Sequence, residues 1–71
     1  MGVETVQKRL CDARKGAGLT QQGMANGLTA AGFKMSLYSY NKKELGHRRI
    51  YVEEGVAMSR LVKRKTEDLF G

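Results

Sequence analysis

The sequence predicts an all-α fold of four to five short helices. Apolar residues recur at steps of three and four, the spacing of one helix face. Proline is absent and aromatic residues make up 7%, without the alternation and turn residues of a small all-β domain. Glycines fall where the periodic segments end, as they do at helix C-termini.

The first helix is expected from Val3 to about Lys15. Val3, Val6, Leu10, Ala13 and Ala17 form its apolar stripe, and Glu4, Lys8, Arg9, Asp12 and Lys15 take the other side. Glu4 and Lys8 stand four apart in the favoured order for an ion pair. Gly16 and Gly18 end it. Thr20 then caps a short second helix whose apolar face is Met24, Ala25 and Leu28. Gly23 and Gly27 lie inside this helix at a cost of about 1 kcal/mol each relative to alanine, and the sequence offers no packing reason for them. Gly32 ends the connection that follows.

Ser36 starts the third helix, with Met35 and Tyr40 at the two positions of a hydrophobic staple. This helix is expected over Leu37 to Leu45, ending at Gly46, and His47, Arg48 and Arg49 follow in a basic loop. Glu53 and Glu54 suit the positive end of a fourth helix, with Val52, Val56, Ala57 and Leu61 as its inner stripe and Lys63, Arg64 and Lys65 closing it. Thr66 caps a final turn that carries Leu69 and Phe70.

Seventy-one residues are enough for one small domain, here taken as residues 1–71, whose core supplies little stability on its own. No apolar run reaches the ~18–20 residues needed to span a bilayer. The segment before Lys15 has no signal-peptide core. The single cysteine allows no internal disulfide, so a reducing cytoplasm is expected. His47 stands alone, which argues against a metal site, and Cys11 has no base beside it. No cofactor, small-molecule ligand or membrane partner is expected. With no paired carboxylates and no activated nucleophile, an enzyme is the weakest reading.

The charge points elsewhere. The chain carries 13 Lys and Arg against 7 Asp and Glu, net +6. Between residues 34 and 49, five cations (Lys34, Lys42, Lys43, Arg48 and Arg49) and one carboxylate, Glu44, leave +4. Such a cluster neutralises phosphates and releases counterions. Tyr38, Ser39 and Lys42 can reach base edges from a helix in the major groove. The unpaired N–H groups at the Thr20 helix start suit an anion. A short helix, a connection and a second helix with a basic outer side form the layout of a helix-turn-helix.

The run Ala13-Arg14-Lys15, then Gly18-Leu19-Thr20-Gln21-Gln22, Met24-Ala25 and Leu28, resembles the first half of the phage repressor and Cro-type helix-turn-helix domain. Met35-Ser36, Tyr40 and Glu44-Leu45-Gly46 resemble its second half. Arg48, Val56-Ala57, Leu61 and Leu69-Phe70 continue the likeness along nearly the whole chain. The resemblance implies a lambda-repressor-like fold and a set of roles. Leu37, Tyr38, Ser39 and Lys42 would face the major groove, with Asn41 at its flank. Gln21 would bind a phosphate and brace the third helix. His47, Arg48 and Arg49 would lie along the DNA backbone; apart from the resemblance, Lys34 and Lys43 of the charge cluster and Gln22 are expected to complete the phosphate set. Arg14 and Glu44 would form a structural ion pair. Apart from the resemblance, a core of 71 residues is expected not to bury both Leu69 and Phe70 fully, which makes them the expected homodimer interface. Leu28 and Met35 are farther apart than in the commonest form of the domain. Lys43 occupies a position that is usually apolar and half-buried.

The expected function is therefore a sequence-specific double-stranded DNA-binding regulator of phage or bacterial type. It would act as a small Cro-like repressor, binding a two-fold symmetric operator as a homodimer, cytoplasmic and nucleoid-associated. The alternative is a protein-interaction module on the same fold, such as the DNA-binding antitoxin of a toxin–antitoxin pair.

Overall fold

The computed structural model describes residues 6–70. Val3 and Glu4, and with them the expected start of the first helix and the Glu4–Lys8 pair, lie outside the described residues. The fold is all-α: α1 (Val6–Gly16), α2 (Gln21–Ala30), α3 (Leu37–Glu44), α4 (Val52–Leu61) and α5 (Thr66–Phe70). Among the described residues there is no strand, and no helix is long and apolar enough to cross a membrane.

Side-chain capping starts two of these helices. Thr20 Oγ1 accepts the Gly23 N–H at 2.9 Å, and Ser36 Oγ accepts the Ser39 N–H at 3.0 Å. Glu54 begins α4 differently, by reaching back to accept the Tyr51 N–H at 3.2 Å.

Helices α1, α2 and α3 end on one device. The residue after the C-cap is Gly18, Gly32 or Gly46, with φ of 76°, 103° and 83°. The N–H that follows it returns to a carbonyl five residues back, as Leu19 does to Arg14, Phe33 to Leu28 and His47 to Lys42. Helix α4 closes in the same way, Arg64 returning to Ser59. There the left-handed position is filled by Lys63, with φ of 58°.

The core is one cluster drawn from all five helices. Leu10, Met24, Ala25, Leu28, Tyr40 and Met58 have no exposed surface, and Ala13, Met35, Val62 and Leu69 join them. Met35 and Tyr40, the staple pair, are both buried. Gly27 gains its packing reason here. The Leu61 methyls of α4 occupy the space a Cβ at Gly27 would need, 2.8–2.9 Å away, so the missing side chain lets α4 rest on α2.

Three expectations about the apolar pattern are corrected. Ala17 is exposed, because α1 has already ended at Gly16 and the helical register stops there. Val52 is 79% exposed, and the buried face of α4 is Gly55, Met58, Ser59 and Val62. This rotation brings Gly55 under the Phe70 ring, 3.2 Å from where a Cβ would stand. It also turns Ser59 inward. Its hydroxyl donates to Val56 O at 2.7 Å and lies 3.2 Å from Thr66 Oγ1, so a polar side chain is satisfied inside. Leu69 is 2% exposed and belongs to the core rather than to an interface, while Phe70 is half-buried. The short α5 folds back on α1 and α4, and that packing covers Leu69.

Candidate nucleic-acid interface

The site is built outward from a buried carboxylate. Glu44, the last residue of α3, is 6% exposed and collects four hydrogen bonds. Arg14 of α1 forks onto it, with Nε to Oε2 at 2.9 Å and Nη2 to Oε1 at 3.1 Å. Tyr40 Oη donates to Oε2 at 2.6 Å, and Gln21 Nε2 of α2 donates to Oε1 at 3.0 Å. Arg14 also donates through Nη1 to Leu19 O at 2.8 Å, tying down the connection between α1 and α2. Gln21 Oε1 in turn accepts from Asn41 Nδ2 at 3.2 Å. The network locks α1, α2 and α3 in one mutual arrangement.

The electrostatics follow from that geometry. Burial pushes the Glu44 carboxyl up, but the hydrogen bonds from Arg14, Tyr40 and Gln21 outweigh it and hold the group below its ordinary value. Burial first, then the bond to Glu44, pushes the Tyr40 phenol far upward, so it stays a donor. The hydrogen bond to Glu44 raises Arg14 further, against its desolvation.

On this base α3 presents an open face. Leu37 is 43% and Tyr38 63% exposed, and both stand in the first turn, away from the core. The Tyr38 ring lies between two cations, Lys42 Nζ at 5.2 Å and Arg48 Cζ at 5.5 Å from its centroid. Arg48 also donates to Ser39 Oγ at 3.3 Å. The basic loop thus folds over the outer side of α3 instead of trailing from it. Lys34, His47, Arg48 and Arg49 are exposed, and Lys42 is half-buried. Lys34, Ser39, Arg48, Arg49 and Tyr51 line a groove of about 380 Å³ beside α3.

Two expected phosphate ligands stand elsewhere. Lys43 is 8% exposed, and its Nζ donates to Glu54 Oε1 at 2.6 Å and to Arg49 O at 2.9 Å. It is corrected to a structural residue that joins α3 to the start of α4. Glu54 supplies the charge that makes a lysine tolerable there. Gln21 holds Glu44 and Asn41, so both of its amide ends are engaged inside the network. Asn41 is correspondingly half-buried and braces α2 against α3. Gln22 is exposed and pairs with Asn26 on its own helix at 2.9 Å.

Tyr51 is a residue that sequence reasoning passed over. It is 56% exposed, and its ring lies 5.3 Å from Lys43 Nζ and 6.0 Å from Arg49 Cζ. Its place two residues after Arg49, the last cation of the basic loop, was the available signal. Cys11 is half-buried and accepts a long contact from Arg14 Nη2 at 3.7 Å. No group of three or more metal-ligating side chains occurs among the described residues. No protein-family model matches the chain, and comparison with curated proteins and with solved structures gives no match either.

Proposed function

We propose that this chain is a sequence-specific double-stranded DNA-binding regulator of the helix-turn-helix kind, acting without enzymatic chemistry. One observation carries the reading. A helix face on which Leu37 and Tyr38 are exposed and Ser39 and Lys42 half-buried, flanked by accessible cations, stands on a framework locked by the Glu44 network. DNA readers need that combination, because base contacts discriminate only when the helix carrying them is held in place. In this reading α3 enters the major groove, Tyr38 and Lys42 read base edges, and Lys34, His47, Arg48 and Arg49 hold the phosphates. Repression by occupying a promoter in a bacterial cytoplasm is the simplest use of such a module.

Selection from a random duplex library tests it. The wild type should enrich a defined site. Tyr38→Ala and Lys42→Ala should each lose about 1–3 kcal/mol on that site and relax preference at particular base pairs. Arg48→Ala and Arg49→Ala should weaken all sequences alike. A library that shows no enrichment, or a preference that changes only in the loop variants, sinks the assignment of α3.

A two-fold symmetric site calls for a two-fold protein. With Leu69 in the core, self-association is assigned to the apolar cleft of about 170 Å³ lined by Ile50, Val52, Gly55 and Phe70. Val52 is the exposed tip of that surface, so Val52→Asp should leave the melting temperature nearly unchanged. The same variant should convert a sedimenting dimer to monomer and remove the gain in affinity from a second half-site. A variant that still sediments and binds as wild type would move the interface elsewhere.

A further inference from the structure

A second basic surface lies at the other end of α4 and takes no part in the proposed DNA contacts. Arg60, Lys63, Arg64 and Lys65 are all exposed, as is Lys15 at the end of α1. None of the five makes an ion pair with a carboxylate among the described residues. The cations beside α3 gather at the Tyr51 end of α4, ten residues and so about 15 Å from this end. Between the α1–α2 connection and the α4–α5 junction runs a groove of about 490 Å³. Leu19, Leu61 and Val62 line it, Lys63 and Arg64 form its rim, and no acidic or aromatic side chain lines it.

Lys63 is the telling residue. Three helices of this chain end with glycine in the left-handed position, and the fourth places a lysine there with φ of 58°. An L side chain adopts that conformation at a cost that glycine avoids, and such outliers concentrate where a side chain has work to do.

We propose that this groove docks an acidic amphipathic segment of a partner protein. Aliphatic side chains of the segment pack on the half-buried Leu19 and Leu61, and its carboxylates meet Lys15, Lys63, Arg64 and Lys65. The charge complementarity commits the site to an acidic ligand. The aliphatic floor without an aromatic platform favours peptide over single-stranded nucleic acid. The proposal does not depend on the DNA reading.

The probe is a synthetic helical peptide with leucine on one face and glutamate on the other, titrated into the full chain by heteronuclear NMR and fluorescence anisotropy. Shifts are expected at residues 15–19 and 60–65, with those of 37–49 unmoved. Replacing the peptide's leucines by serine at equal charge should weaken binding by about tenfold or more, as should Lys63→Glu with Arg64→Glu in the protein. Adding a DNA duplex should leave the peptide bound. Lys63→Gly should raise the melting temperature by removing the strained conformation and still weaken the peptide, which separates docking from folding. Shifts confined to residues 34–49, equal affinity for the serine peptide, displacement by duplex, or no saturable binding would each overturn the proposal.

Discussion

Glu44→Ala is expected to destabilise the fold by about 3–5 kcal/mol, because it leaves the Arg14 guanidinium buried without its partner. Arg14 is 7% exposed, and among the described residues it pairs with no carboxylate but Glu44. The Tyr40 hydroxyl, fully buried, loses its acceptor in the same substitution. For a domain of this size that loss is a large share of the total stability. Glu67→Ala, on the exposed first turn of α5, should stay within about 0.5 kcal/mol of wild type. Thermal denaturation of the two variants decides the matter, and equal shifts would refute the role given to Glu44.

The same network sets an acid limit. The folded Glu44 carboxyl lies below its ordinary value of 4.5. Its contribution is therefore complete above that value and is lost as the pH falls through the lower, folded one. Wild type should lose melting temperature on that descent, and Glu44→Gln should show a flatter acid limb.

The affinity for duplex DNA should fall steeply with salt. Three cations of the phosphate set, Lys34, Arg48 and Arg49, are exposed on the α3 side of each protomer. If each meets one phosphate, a dimer neutralises six, and the logarithm of affinity should fall with a slope of about −5 against the logarithm of salt. Between 50 and 200 mM that amounts to roughly 10³-fold. Arg48→Ala or Arg49→Ala should flatten the slope by about 2 per dimer. Lys43→Ala should leave the slope alone and lower stability instead, since it strands Glu54. Anisotropy titrations at several salt concentrations separate these outcomes. A slope that drops for Lys43→Ala as much as for the arginines would return Lys43 to the phosphate set.

Local signals carried much of the architecture. Thr20 and Ser36 cap helices because a hydroxyl needs only the N–H three residues ahead. Gly18 and Gly46 end them because the left-handed turn is a property of a few consecutive residues. Gly32, expected at the end of the connection, instead stands at its start, directly after the C-cap of α2. The helix count and the α3 boundaries follow from the same short range. The partnership of Arg14 with Glu44, thirty residues apart, was legible only through the family pattern, because no spacing rule reaches that far.

What the tertiary structure alone decided lies where two elements meet. Lys43 reads as one more cation in a basic run, and only the approach of Glu54 from α4 turns it inward. Gln21 and Asn41 read as polar surface residues, and only the closeness of α2 and α3 joins them. The apolar count of α4 points to Val52. The packing of Phe70 over Gly55 and the hydroxyl pair of Ser59 with Thr66 instead accompany a different buried face. The physical reason is common to all three. Helix formation and termination are governed by neighbours within about four residues. The direction in which a face turns is settled by whichever distant groups can satisfy its charges and fill its gaps.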